Sequence, residues 1–407
     1  QMLETSVPLL EINSKSVSYL LEDMFNFKPG VSYTYTAVLN ASTTAIKVEI
    51  GCEIEDWNNI GGGSEGDDDS GSEGGEDDGI DLSLYTDLSV EGSANCYLIK
   101  AAGNYKFKAV QGNSDWSVGN VKKTEVLWES FGTDVMPNIG DLIATTGYKN
   151  GYVYFSTPET FKNGNASIAV RNSKDVILWS WHIWCSEEGW NDHVYANNAG
   201  TMMDRNLGAT SATPGDVGAF GLLYQWGRKD PFMGTCAKWG TTLAASTGTW
   251  TTIESSQTFD YAEENPMTYI AHYDWCSNAW NNYEIRWTES EKSLYDPCPV
   301  GYRVPDGGDN GFWATANVNS TGDSTNCGMY WTLADGETTA WYPAVGYRNS
   351  DSGALNYVGE YGYCWSASPH PSNSNDAYYL FFNYYNDVYH VNSHNRGDGQ
   401  SVRCVRE

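Results

Sequence analysis

The chain is poor in positive charge. Its 407 residues carry 23 Lys and Arg against 52 Asp and Glu, a formal net charge of −29. Nucleic-acid recognition needs a basic face and anionic lipid needs basic clusters, so this balance argues against both. No run of 18 apolar residues is present, so no membrane-spanning helix is expected. HExxH, Walker, Rossmann and nucleophile-elbow motifs are missing. None of the 9 Cys forms a CxxC pair, which argues against a zinc knuckle or thioredoxin chemistry. No leader-like segment opens the chain, and its first residue is Gln1, which reads as a mature or truncated product.

Aromatic residues are plentiful at 14%, with 17 Trp and 28 Tyr, while only 18% of residues are charged. That is the composition of a folded chain. Tyr, Trp, Thr and Val favour strands, and Gly, Asn, Asp and Ser supply turns. The length suggests two or three domains. Scattered Cys in an aromatic β protein fit an oxidising, exported setting. Their odd number leaves one thiol free or paired between chains.

One boundary stands out. Residues 61–81 are rich in Gly and Ser, have Ile80 as their only apolar residue, and hold Glu65, Asp67, Asp68, Asp69, Glu73, Glu76, Asp77 and Asp78. Such a run buries no core and repels itself, so it reads as an extended linker. Before it, residues 1–60 offer alternating strands at 31–39 and 46–50. After it, residues 82–186 offer strands at 94–100, 105–110, 124–129, 151–157, 166–171 and 176–184. Their short spacing suggests an antiparallel sandwich. The 176–184 strand is apolar on both faces, as a central strand or one docked on a neighbouring domain would be. The remainder, 187–407, reads as a third segment ending in an aromatic strand meander.

Two sets of words resemble known families. Phe27-Lys28-Pro29-Gly30-Val31-Ser32-Tyr33 and Ile54-Glu55-Asp56-Trp57-Asn58 resemble the C-terminal end of a fimbrillin-like domain from pili of Bacteroides-type bacteria. That resemblance implies a partial sheet in 1–60, completed by a missing segment or another chain. Asp204-Arg205-Asn206-Leu207-Gly208-Ala209, then Gly221-Leu222-Leu223-Tyr224-Gln225-Trp226-Gly227-Arg228, then Cys298-Pro299-Val300-Gly301-Tyr302-Arg303-Val304-Pro305 resemble the major paralogous domain noted in Fibrobacter. It spans roughly 185–407 and implies a relative of the C-type-lectin and formylglycine-generating-enzyme folds, closed on paired first and last strands. The fold expected is therefore mainly β with a C-terminal α+β module. Where the family usually has Glu-Trp after the Pro, this chain has Asp306-Gly307-Gly308-Asp309, so the helix placed there is expected late or short.

Several residues are candidates for chemistry. Cys298 and Cys404 read as a disulfide that staples the module, the alternative being two buried thiols. Cys327 and Cys364 read as a second disulfide or free thiols. They alone could stand in for the reactive pair of formylglycine-generating enzymes. Asp306, Asp309 and Asn310 form an oxygen-rich Gly loop, a candidate calcium site, though the spacing matches no EF-hand. No other cofactor is implied. His390 and His394, four apart on a strand, would face one side and permit a metal, against the blander reading of a turn-flanking polar pair. Arg396-Gly397-Asp398 reads as a hairpin turn ahead of integrin recognition. The meander aromatics Tyr378, Tyr379, Phe381, Phe382, Tyr384, Tyr385 and Tyr389 are expected mostly in the core. The long 233–295 stretch carries Trp239, Trp250, Trp275, Trp280, Asn281, Asn282, Tyr283, Glu284 and Trp287. Trp and Tyr beside amides and acids suit sugar rings, and the alternative is a second small core.

The expectation is a non-enzymatic surface adhesin, exported to the cell surface or fimbrium of a Gram-negative bacterium. It would bind glycan or surface protein through its C-terminal domain and join pilus subunits by strand donation. An enzyme of the formylglycine-generating or glycosidase type, or a purely structural surface protein, are the alternatives.

Overall fold

The computed structural model describes residues 10–12, 15–17, 31–41, 46–56, 80–276, 286–317 and 319–407. It forms two compact units, 1–78 and 79–407. In the first, Leu10–Ile12 pairs with Lys15–Val17, and Val31–Ala41 pairs antiparallel with Ile46–Asp56. The alternating pattern located both long strands, and the ladder extends further, from Val31↔Asp56 to Ala41↔Ile46. Most of the acidic run lies outside the described residues. Its end is tied down: Lys149 Nζ donates to the Ile80 carbonyl at 2.8 Å, and the Asp81 carboxylate accepts from Ser83 N at 2.9 Å.

The second unit begins with two four-stranded sheets. One orders Thr86–Asp87, Asn104–Lys108, Tyr152–Ser156 and Thr145–Lys149; the other orders Cys96–Ile99, Ile177–Cys185, Gly164–Arg171 and Lys123–Ser130. Between them lie Phe107, Val153 and Phe155 from the first sheet, and Ile168, Val170, Trp179, Trp181 and Ile183 from the second, all buried. Trp181 meets Phe107 edge-on at 5.1 Å. The six expected strands are present. The arrangement is not purely antiparallel, because Cys96–Ile99 runs parallel to Ile177–Cys185.

The Ile177–Cys185 strand explains why no domain boundary falls at residue 186. Trp179, Trp181 and Ile183 enter the sandwich core, whereas Trp184 enters a core shared with Leu207, Tyr224, Trp226, Trp365 and Val402. With both faces apolar, the strand buries one on each side. Residues 82–186 and 187–407 lie in one compact unit, 79–407.

The rest of that unit is also built on strands. The longest sheet orders Leu355–Asn356, Tyr347–Arg348, Gly399–Ser401, Tyr361–Pro369, Asp376–Asn383 and Val388–Asn395, with Leu223–Gln225 added beside Gly399–Ser401. A meander of Ser320–Asp323, Gly328–Thr332 and Thr339–Pro343 covers its far side, packing Trp331 and Tyr342 near Leu380 and Phe382. The architecture is mainly β. The helix after the altered Pro word, Phe312–Ala316, is indeed short.

The unit closes on itself. Val405–Arg406 pairs with Met202 on one side and Tyr302–Arg303 on the other. The Cys298–Cys404 disulfide fixes this closure, its Cα atoms 6.0 Å apart. Buried charge shapes the turn that delivers Cys298. The Asp296 carboxylate accepts from Cys298 N at 2.8 Å and Val304 N at 2.9 Å, while Lys292 Nζ donates to the carbonyls of Cys298, Pro299 and Tyr302.

His182, on the same side of the two-faced strand as Trp184, gives the fold a pH dependence. Its Nε2 lies 2.8 Å from Asn165 Oδ1, and burial pulls its pKa down to about 3. The unfolded chain titrates near 6.5. Above that pH the group has no effect. As pH falls below it, the unfolded chain gains a proton that the fold refuses, and stability drops. At pH 5 the loss from this group is about 2 kcal/mol, at roughly 1.4 kcal/mol per unit. Burial lowers His193 and His390 as well, so they act in the same direction. Denaturant midpoints at pH 7 and pH 5 should therefore differ less in His182→Gln than in the parent chain. Equal losses in the two proteins would refute this role.

Candidate functional site

The words behind the second resemblance are architectural. Asn206 Oδ1 accepts from Arg403 Nε at 3.2 Å, and the Arg403 guanidinium lies 3.6 Å over the Tyr342 ring. Gln225 Nε2 donates to the carbonyls of Ile270 and Gly397, and Trp226 Nε1 to that of Ser366. Arg228 donates to Gln225 Oε1 and the Thr268 and Asn265 carbonyls. All of these side chains are buried, so they hold the core and offer no ligand surface.

Two of the expected long-insertion residues are buried. Trp275 and Trp287 are each 1% exposed, and both indole N–H groups are satisfied inside: Trp275 Nε1 donates to the Trp226 carbonyl at 2.7 Å, and Trp287 Nε1 to that of Tyr295 at 3.0 Å. They are core residues. Trp280, Asn281, Asn282, Tyr283 and Glu284 lie outside the described residues. Trp239 is exposed, as expected.

The structure also places three other candidate groups. Cys327 and Cys364 are unpaired thiols. Cys364 faces the core beside Leu380 and Phe382, whereas Cys327 sits in the turn before Gly328–Thr332 with its thiol toward the Ser324 carbonyl. Arg396 and Asp398 are wholly buried, so the Arg-Gly-Asp turn presents nothing to a receptor. His390 and His394 do not share a face. A bulge, where Tyr379↔Asn392 is followed by Phe381↔Tyr389, reverses the alternation between them. His390 stands edge-on to Trp331 at 5.6 Å, while His394 packs against Tyr347 and Tyr379 and bonds through Nδ1 to the Asp398 carboxylate. Burial lowers the His394 pKa, but that bond and the Asp398 charge outweigh it, so the net shift is upward.

In the oxygen-rich loop, the Asp306 carboxylate is engaged. Arg303 grips it through two nitrogens at 2.7 and 3.0 Å, and Ser290 N donates to it at 2.9 Å. Asp309 and Asn310 are exposed. Among the described residues, no group of three or more His, Cys, Asp and Glu side chains is placed to hold a metal ion.

What the fold does assemble is an aromatic surface at one end of the longest sheet. Its exposed members are Trp239 (50% exposed), Tyr357 (49%), Tyr385 (68%) and Tyr389 (56%). Tyr384 links Trp239, at 5.9 Å, to Tyr385, at 4.2 Å. A second row runs Tyr357, Tyr361, Phe381, Tyr389 with ring centroids 4.8, 5.3 and 5.5 Å apart. Two features join the rows. Tyr361 pairs across the sheet with Asn383, the residue before Tyr384. Gly359 (φ +81°) lies against the Trp239 indole, where a Cβ would come within 2.6 Å of the ring. Both the conformation and the space require glycine there.

The turn that carries Tyr384 and Tyr385 is rigidly held. Asn383 Oδ1 accepts from Tyr385 N at 2.9 Å and Asp387 N at 3.0 Å, and Asn383 Nδ2 donates to Asp387 Oδ2 at 2.8 Å. This is an Asx-type turn. Asn386 Oδ1 accepts from Gly322 N at 2.7 Å, fastening the tip to the neighbouring meander. Tyr384 donates its hydroxyl to Tyr385 at 2.8 Å, which pushes its own pKa up to about 12. Glu360 supplies a charged group near the rings, acting on the Tyr384 phenol.

Strand alternation predicts most of the meander aromatics, Tyr384, Tyr385 and Tyr389 among those considered, in the core. A usable signal was present: Asn383-Tyr384-Tyr385-Asn386-Asp387 puts two aromatics inside a turn, and turns lie at the surface. No family model, curated protein or solved structure matches the chain.

Proposed function

We propose that the chain is a non-catalytic recognition protein, a cell-surface or fimbria-associated adhesin that binds a glycan on the aromatic surface of its 79–407 unit. One observation carries this reading: Trp239, Tyr357, Tyr385 and Tyr389 stay exposed although the fold buries most of its large aromatics, and an Asx turn fixes two tyrosines of the surface in place. Exposed rings set in advance lose little freedom on binding. Their flat faces suit the C–H faces of sugar rings, while the tyrosine hydroxyls and Glu360 suit the hydroxyls.

The fimbrillin-like words in 1–60 are consistent with attachment to a pilus, where sheet completion would supply main-chain hydrogen bonds between subunits. Thiol chemistry finds little support. Burial pushes the Cys364 pKa up to about 12 and raises that of Cys327, opposite to the depression an attacking thiol needs. A Ser180–Lys229–Asp230 cluster, with Lys229 Nζ and Asp230 Oδ1 each 2.6 Å from Ser180 Oγ, is buried and closed to substrate.

The full chain should give discrete hits on a glycan array. Tyr385→Ala, at an exposed site, should weaken the best hit about tenfold or more, the usual cost of losing an aromatic anchor. EDTA should leave the signal unchanged, since Asp306 is committed to Arg303. An array without hits, or hits indifferent to Tyr385→Ala, would reject the reading.

A further inference from the structure

The 79–407 unit also holds a concave site. It is a cleft of about 420 Å³, walled by Phe232, Trp250 and Tyr269, with Met136 and Leu243 among its lining residues. That volume is in the range of small-ligand sites. Ser246, Thr251 and Thr252 add hydroxyls to the lining, and Arg348 is its only cationic residue.

The state of Arg348 is what makes the cleft informative. Its side chain is 8% exposed. Nε donates to the Met233 carbonyl at 2.9 Å and Nη1 to the Gly353 carbonyl at 2.8 Å. The guanidinium lies 5.7 Å from the Tyr269 ring centroid. Among the described residues no carboxylate comes within 4.0 Å of it, in a chain with more than twice as many acids as bases. Buried guanidinium groups are normally matched by an acid. Arg286 and Arg205 follow that rule, with Asp274 and Asp204. Arg228 and Arg403 lack an acid as well, but they are enclosed by Gln225, Asn206, carbonyls and rings. Arg348 combines an uncompensated charge with an opening, and among the described residues its Nη2 donates to no protein acceptor.

We infer that this cleft is a binding site for an acidic sugar, whose carboxylate is held by Arg348 and whose ring lies among Trp250, Phe232 and Tyr269. The guanidinium presents Nη2 to the carboxylate, a charge-assisted hydrogen bond. The aromatic walls cover the ring, and the Ser246, Thr251 and Thr252 hydroxyls meet its hydroxyl groups. Recognition here is independent of the Tyr385 surface.

The test is calorimetric titration of the full chain with glucuronate, with its neutral methyl ester, with glucose and with hippurate. Glucuronate should bind, and the ester and glucose should bind at least about tenfold more weakly, the lower end for a hydrogen bond to a charged group. Leu243→Glu puts an acid on the half-exposed cleft lining without touching the core, and should weaken glucuronate by a similar factor. Arg348→Met should abolish it. If that variant fails to fold, Leu243→Glu still decides. Tyr385→Ala should leave glucuronate binding intact, so failure of the glycan surface and failure of the cleft are told apart. Absence of glucuronate binding, equal binding of its ester, equal binding of hippurate, or indifference to Leu243→Glu each overturns the inference.

Discussion

Replacing Cys298 and Cys404 together by Ala should destabilise the 79–407 unit by about 4–5 kcal/mol. The bridge spans a sequence separation of 106, so without it the unfolded chain recovers the freedom of a long loop. In the fold, little else replaces it. The closing strand Val405–Arg406 is two residues long and shares only a few pairs with Met202, Tyr302 and Arg303. Both sulfurs are fully buried, so mild reductant should leave the native bridge intact and act only after unfolding. Urea denaturation of the parent and the double variant measures the difference. A loss under 1 kcal/mol would mean that Lys292, Asp296 and the strand pairs suffice to hold the ends together.

Asp274→Ala should be comparably damaging, at about 3–5 kcal/mol. Asp274 is the anion of a buried cluster. Arg286 Nη1 donates to its oxygens at 2.9 and 3.1 Å, and Arg396 Nη1 lies 3.5 Å from Oδ2. Arg286 lies 5.0 Å from the Trp275 ring centroid, and Arg396 4.6 Å from that of Trp226. Truncation leaves two guanidinium groups in the core without their counter-charge. The rings offset part of that, since cation–π contacts strengthen when dry. Asp274→Asn keeps the shape and one acceptor, so it should cost less than Ala. If both variants match the parent in denaturant midpoint, the cluster carries no net stability.

The strands were legible because alternation and turn residues survive burial. The two-faced apolarity of 176–184 even indicated a neighbour on its outer side, and Trp184 meets one there. What the sequence hid was partnership. Trp275 and Trp287 lie in an insertion, and position alone suggested exposure, but carbonyls of Trp226 and Tyr295 wait inside for their N–H groups. The two histidines four apart read as neighbours until a single extra residue in the ladder put them on opposite faces. Arg396-Gly397-Asp398 reads as a hairpin turn and is one, but the sequence does not show that its arginine joins a core charge cluster. The site was legible in Trp239 and missed in Tyr385. Strand rules send most meander aromatics inward, and the Asn383 turn that turns two of them outward is not visible to those rules.

The central claim is that the Trp239–Tyr385 surface is a ligand-binding face. The direct measurement is the affinity of the full chain for its best array glycan, beside Trp239→Ala/Tyr385→Ala with an unchanged circular dichroism spectrum. The account predicts that the folded double variant loses binding by about a hundredfold, two anchors at roughly tenfold each. Undiminished affinity in that variant would contradict it.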